Sequence, residues 1–292
     1  MTLDRRLGDL PQAPLDAADI AIIGLPDDRG IVANNGRPGA RQAPEAIRRY
    51  LYKTTPGPKG AIEKLKWIDL GDVDPGDSIE AMHEAGAEMC RTALSAGAAV
   101  IALGGGHDLA HCDLSALMDR TGGPVGVVNI DAHLDLREYD QGINSGTAFR
   151  RLIDRGLEPG NLIEFGIQAH SNASGYLDYA AEKGVEVYPW EHVRDDPVGH
   201  LQNIFGQLAE RTSAIGVSFD IDCVAGMAGC SAPSPIGLTP QQALDIARLS
   251  ANYARSFGIF EVSPPLDVAD QTSRLAALMV WTILYERSLK AP

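Results

Sequence analysis

Nowhere in its 292 residues does the chain hold an apolar run of the roughly 18 residues that a membrane helix needs, so no membrane partner is expected. Cysteine is scarce. Cys90, Cys112, Cys223 and Cys230 are the four, and none forms a C-x-x-C pair. A disulfide scaffold is thereby excluded, and free thiols in a reducing compartment are expected. Cys223 and Cys230 share one loop and are the pair to inspect for redox sensitivity. Basic charge is scarce as well: 25 Lys and Arg against 39 Asp and Glu leave a net charge of −14. Without a basic stripe to meet a phosphate backbone, nucleic acid is not an expected partner. The N-terminal segment 1–16 has no apolar stretch of the signal-peptide kind, so the cytoplasm is the expected location. No low-complexity linker and no internal repeat divides the chain, which is read as one domain over 1–292.

What is present suits a folded α/β protein. Hydrophobic residues make up 45% of the chain, enough for a sizeable core. Strands are expected at Ile20–Gly24, Trp67–Leu70, Ala98–Leu103, Val125–Ile130, Leu162–Gly166, Val185–Tyr188, Ala214–Phe219 and Gly258–Val262. Most are rich in Val, Ile and Ala without polar alternation, as in strands buried on both faces of a parallel sheet. Helical patterns lie between them. Ile79, Met82 and Met89 share one helical face, and Asp270 opens a closing helix through Leu275, Leu278 and Trp281. Thr239-Pro240-Gln241-Gln242 reads as a helix start, with Thr as cap, Pro in the first turn and Gln closing a capping box. The expected architecture is a single-domain three-layer α/β/α sandwich around a mostly parallel eight-stranded sheet.

In open α/β sheets, sites form beyond the C-terminal strand ends. Three strands here run into chemistry-bearing residues. After Leu103 comes Gly104-Gly105-Gly106-His107-Asp108, where the glycines allow a sharp turn and leave room for His107. This is neither G-x-G-x-x-G nor a Walker loop, which weakens a phosphate-binding reading. After Ile130 come Asp131, His133 and Asp135 at i, i+2, i+4, which share one side if the chain stays extended. After Phe219 come Asp220 and Asp222, again on one face and next to an apolar strand where bare charge is costly. Two His and four Asp exceed the needs of one ion and suit two ions with bridging carboxylates. A donor set of oxygens and imidazoles, without thiolate, favours Mn2+ over Zn2+.

These motifs resemble the ureohydrolase (arginase/agmatinase/formimidoylglutamase) family. Gly104–Asp108, Asp131–Arg137 and Ser218–Asp222 resemble its metal-binding signatures in order, and Glu261-Val262-Ser263-Pro264 with Asp267 resembles a later stretch. The resemblance covers about Gly24 to Leu284. It implies two Mn2+ per subunit: one on His107, Asp131, Asp135 and Asp220, the other on Asp131, His133, Asp220 and Asp222, with Asp131 and Asp220 bridging. It also implies a homotrimer or homohexamer. Asn35–Ala40, Ser145–Arg150 and Cys230–Pro235 are most similar to the formimidoylglutamase branch. Phe149 stands where arginases and agmatinases carry a His thought to shuttle protons, and the loop Cys223–Gly229 lacks a frequent Asp-Pro pair.

The activity implied is hydrolysis of N-formimidoyl-L-glutamate to glutamate and formamide by a hydroxide bridging the two ions. Asp135 would take the proton from the nucleophile and pass it to the departing amine. Glu261 would pair with the amidinium, unless it serves a buried structural ion pair. Arg137, with Ser145 and Arg37, would hold substrate carboxylate. The plainer alternative for Arg137 is a salt bridge to Glu138 or Asp140. His170 is read as a surface His, with replacement of the missing shuttle as its alternative role. The competing readings are urea release from a guanidino compound by a guanidinobutyrase, arginase or agmatinase; a catalytically silent metal-binding subunit; and a phosphate-binding module.

Overall fold

The computed structural model describes residues 4–291, so Met1–Leu3 of the N-terminal segment and Pro292 lie outside the described residues. The strands are β1 (Ile20–Gly24), β2 (Trp67–Asp72), β3 (Ala99–Leu103), β4 (Val125–Ile130), β5 (Leu162–Ile167), β6 (Glu186–Pro189), β7 (Ala214–Asp220) and β8 (Ala254–Phe260). All pair in parallel in one sheet of order β2-β1-β3-β8-β7-β4-β5-β6. The α-helices are α1 (Arg29–Ala33), α2 (Ala43–Leu51), α3 (Ile79–Ser95), α4 (Ala110–Arg120), α5 (Ala148–Arg155), α6 (Ser174–Lys183), α7 (Trp190–Val193), α8 (Pro197–Arg211), α9 (Pro240–Ser250) and α10 (Gln271–Ser288).

The apolar strands are buried on both faces because helices cover both. Alternate residues of one strand feed different cores. Ile20 and Ile22 join Ile47 of α2, Leu201 of α8, Ile246 of α9 and Met279 of α10. Ala21 and Ile23 join Met82 of α3, Leu114 of α4 and Phe149 of α5 on the other side. This two-residue period is what makes the single sheet the middle layer of three. The edge strands β2 and β6 are only half-buried for most of their length.

One strand expectation needs correction. Gly258–Val262 was read as the last strand, but β8 runs Ala254–Phe260, so Glu261 and Val262 follow the strand. Arg255 and Ser256 concealed its start. They are polar in sequence, yet the Ser256 hydroxyl is buried and donates to Asp113 at 2.6 Å. The glycine turn after β3 also works differently from the expectation. None of Gly104, Gly105 or Gly106 has positive φ. A Cβ on Gly104 would lie 2.0 Å from the Phe260 ring, and one on Gly105 would lie 1.9 Å from the Asp27 carbonyl oxygen. The requirement is space rather than a left-handed turn.

The helix start at Thr239 matches its sequence pattern. The Thr239 hydroxyl accepts from Gln242 N–H at 3.1 Å, and the Gln242 side chain accepts from Thr239 N–H at 2.8 Å. Replacing Thr239 with Ala is expected to cost about 1 kcal/mol of stability. Chemical denaturation checks this, with catalytic rate expected to stay unchanged because the Thr239 side chain bonds only within its own helix start.

Candidate metal centre

Four neighbouring strands, β3, β8, β7 and β4, form the middle of the sheet. Every chemistry-bearing motif sits at or just past one of their C-terminal ends. Leu103 leads to His107, Phe260 to Glu261, β7 ends on Asp220, and Ile130 leads to Asp131. Adjacent parallel strands lie about 4.8 Å apart, so residues far apart in sequence become neighbours.

Around His107, Nδ1 lies 3.1 Å from Asp131 Oδ2, 2.8 Å from Asp135 Oδ2 and 3.2 Å from Asp220 Oδ2. Around His133, Nδ1 lies 3.4 Å from Asp131 Oδ1 and 3.0 Å from Asp222 Oδ2. Two groups of donors therefore converge, His107–Asp131–Asp220 and Asp131–His133–Asp222, with Asp131 common to both through its two oxygens. Asp135 reaches the first group through His107. Asp220 Oδ1 accepts the backbone N–H of Asp222 at 2.8 Å, which fixes one carboxylate relative to the next.

This donor set fits divalent cations. His107 Nδ1 is buried and makes no hydrogen bond of good geometry despite its three close oxygens, which leaves it open to a cation. On the other side of the ring, His107 Nε2 lies 2.8 Å from Ser218 Oγ. An Nε2–H donated to that hydroxyl leaves Nδ1 as the coordinating nitrogen. The ring is held edge-on by Phe149 at 5.5 Å and faced by Phe260 at 5.3 Å between centroids. Five carboxylates, those of Asp131, Asp135, Asp220, Asp222 and Glu261, crowd against two imidazoles, and only added positive charge balances them.

The protonation preferences report the same crowding. Burial disfavours the His107 cation, but Asp131, Asp135 and Asp220 override it and raise its pKa well above the usual value. His133 is lifted to about 12, with burial opposing and Asp222 and Asp131 prevailing. Burial pushes Asp222 up to about 7, opposed by His133 and reinforced by Asp131. Burial raises Asp131 too, but the two imidazoles outweigh it and hold that carboxyl below its ordinary range. Burial raises Asp220 and Glu261 well above theirs.

The extended geometry expected for Asp131, His133 and Asp135 does not occur. β4 ends at Ile130, and Asp135 has φ of +48°. The side chains still meet because the chain bends instead of continuing straight. Glu261 also has positive φ, +65°. Left-handed backbone at non-glycine residues costs of order 1–3 kcal/mol and persists where surrounding structure imposes it. At Glu261 the carboxylate accepts His107 N–H at 3.0 Å, so it has a fixed place and no buried basic partner.

A cavity of about 460 Å³ opens over these groups. His107, His133, Asp135, Asp220, Asp222 and Glu261 form its floor, and Arg37, Arg137 and Ser145 lie on its walls. Arg137 makes no ion pair to Glu138 or Asp140. Its guanidinium lies 5.6 Å from the Tyr176 ring centroid, and a Cβ on Gly146 would strike it at 2.5 Å, so Gly146 clears its path. Arg37 spends two of its donors on the carbonyls of Ser231 and Cys230, at 3.0 and 2.9 Å. The Ser145 hydroxyl accepts from Asn34 at 3.0 Å. His170 is exposed and does not itself line the cavity, although Ser171 beside it does. Phe149 is fully buried behind His107 and does not line the cavity. Cys223 and Cys230 are free and buried, and burial raises both thiols, which makes them poor nucleophiles.

Sequence reading missed several contributors. Asn129 donates to Glu164 at 2.8 Å and lies 3.4 Å from Asp131 Oδ2 and from the His133 carbonyl, behind the carboxylate common to both donor groups. Glu164 is completely buried on β5, and burial raises its carboxyl well above the ordinary range. A Glu inside the apolar run Leu162–Ile167 was the available signal. Tyr176 and Asn34 carried none.

The arginase family model matches residues 18–285. Formimidoylglutamase of Streptococcus pyogenes is 30% identical over 95% of this chain and 88% of its own. Among solved structures, Trypanosoma cruzi formiminoglutamase with Mn2+2 superposes with a TM-score of 0.90 at 29% identity, covering 98% of this chain and 99% of that one. Proclavaminate amidino hydrolase from Streptomyces clavuligerus gives 0.83 at 30% identity, over 97% of each chain. No described helix is long and apolar enough to cross a membrane.

His133 and Asp222 must lose their protons to act as ligands. With pKa values lifted to about 12 and about 7, His133 holds its proton at neutral pH and Asp222 is partly protonated. Mn2+ binding is therefore expected to release protons, and affinity to fall as pH drops through 7. Calorimetric titration in two buffers of different ionisation enthalpy measures this. Binding without proton release would show that His133 is already neutral before the metal arrives.

Proposed function

The chain belongs to the arginase family, and from that premise we propose that it hydrolyses N-formimidoyl-L-glutamate to L-glutamate and formamide. The observation carrying this reading is the two-signed cavity. Its floor is carboxylate and imidazole, and its walls hold Arg137 and Arg37. A substrate cationic at its amidine end and anionic at its carboxylate end matches that polarity. Agmatine, without a carboxylate, would leave Arg137 unmatched.

Two Mn2+ ions are the expected cofactor, held by His107, Asp131, Asp135 and Asp220 and by Asp131, His133, Asp220 and Asp222, and when bound they supply Lewis acidity that brings water towards ionisation near neutral pH. The chain's own residues do the rest. Glu261 lies on the cavity floor without a cationic partner, and an amidinium placed there restores its charged form. Arg137, braced on Tyr176, takes substrate carboxylate through a two-pronged contact, with the Ser145 hydroxyl beside it. The water oxygen bonds to the amidine carbon, and Asp135 accepts the proton that water gives up. Asp135 then delivers that proton to the departing glutamate nitrogen as the carbon–nitrogen bond breaks. Phe149 offers no proton path, so this shuttle falls to Asp135.

A second reading, urea release from a guanidino acid, is favoured by the likeness to proclavaminate amidino hydrolase. Both readings share the metal chemistry and differ in the group bonded to the attacked carbon. The free, buried thiols support a cytoplasmic location. A homotrimer or homohexamer is the expected assembly.

The test offers the Mn2+-loaded protein N-formimidoyl-L-glutamate, arginine, agmatine and 4-guanidinobutyrate. Glutamate and formamide from the first are expected; urea from a guanidino compound with no formamide would replace this reading by the second. Replacing Arg137 with Ala is expected to raise KM roughly 10- to 100-fold with kcat largely kept, the loss of one charge-assisted contact. A fall in kcat alone, seen in steady-state kinetics, would assign Arg137 to the chemical step instead.

A further inference from the structure

At the end of the sheet opposite the carboxylates, a second cavity of about 450 Å³ lies among the first residues of β7 and β8 and the last turns of α3, α4 and α10. Three arginines line it: Arg120 from α4, Arg255 from β8 and Arg287 from α10. No Asp or Glu does. None of the three forms an ion pair with a carboxylate among the described residues. In a chain of net charge −14 this is a local reversal of sign. Arg48, equally an arginine at the sheet margin, is gripped by Asp69 and Asp72.

Two of these guanidinium groups are held in place by the backbone. Arg255 donates one Nη2–H to the Gly97 carbonyl at 2.7 Å, and Arg287 donates Nη2–H to the Ala254 carbonyl. Arg287 Nε is buried with no partner. Both side chains are half-buried, and Arg287 feels the like charge of Arg255 besides its own burial. Asp19 attracts Arg287 from beyond ion-pair distance while accepting the Lys66 backbone N–H. Two desolvated cations that repel each other and keep free donors are costly alone and well matched to a doubly charged oxyanion.

We propose that this cavity binds a phosphate group, with Arg255 and Arg287 as its anchors and Arg120 at the rim. Ser213 adds a neutral hydroxyl to the lining; Thr121 and Asn252 line it too, with the Thr121 hydroxyl donating to the Leu117 carbonyl and the Asn252 amide to the Arg248 carbonyl. The volume exceeds what a bare phosphate fills, so a phosphate ester of a small metabolite is the better fit. The site lies across the sheet from the catalytic cavity and shares no lining residue with it.

The test titrates inorganic phosphate and, separately, ribose 5-phosphate into the Mn2+-loaded protein by calorimetry. Saturable binding is expected, with the ester tighter than the free ion. The Arg255→Gln, Arg287→Gln double variant should bind roughly tenfold more weakly or not at all, with unchanged hydrolysis of substrate. Arg120→Gln alters an exposed side chain, and its several-fold weaker binding gives the answer if the double variant does not fold. Wild-type protein that binds neither probe would overturn the proposal. So would variants that bind as tightly as wild type, because the anion would then sit at the metal centre.

Discussion

The central constraint is electrostatic: carboxylates of four aspartates and one glutamate converge at the ends of four adjacent strands, with two imidazoles among them. In water such a gathering would disperse. Here the sheet fixes the strand ends about 4.8 Å apart, and the side chains cannot withdraw. Divalent cations resolve the repulsion, so the fold and the chemistry are coupled through one charge balance. Much of the neighbouring structure reads as support for it. Ser218 orients His107, Phe149 and Phe260 enclose its ring, and Asn129, which donates to the buried Glu164, backs Asp131. Burial raises the Glu164 carboxyl well above its ordinary range, the direction that limits negative charge behind Asp131.

The convergence of the histidines and aspartates was legible because each follows an apolar run, His107 after a glycine turn and the others two residues apart. That rule needs no knowledge of the partner strand. The sheet was legible for the same reason, since strands buried on both faces are apolar throughout. The start of β8 was not, because Arg255 and Ser256 look like loop residues until their partners across the fold are known. Backbone conformation at Asp135 and Glu261 was also hidden. Both take positive φ that no local preference favours, and the surrounding packing imposes it.

Substrate-facing residues were the least legible. Arg37, expected to meet substrate carboxylate, lines the cavity, and its guanidinium also holds the Cys230 and Ser231 carbonyls almost two hundred residues further on. Arg137 was selected for its place after the ligand motif, but what aims it is Tyr176 on one side and the missing side chain of Gly146 on the other. Such residues depend on contacts between segments distant in sequence, and single-chain spacing carries no record of them.

The position of β8 in the sheet also bears on how the molecule is made. The last strand of the chain lies in the middle, between β3 and β7. Until it has been synthesised, β3 and β7 are open edges with unpaired backbone groups, and the sheet exists as two separate halves. Glu261 follows β8 directly, and α10 covers the core only afterwards. Closure is thus a late and strongly non-local event in a growing chain, the stage at which edge-to-edge association with other chains competes with folding. A truncated product ending before Ala254 would lack the keystone and retain both exposed edges.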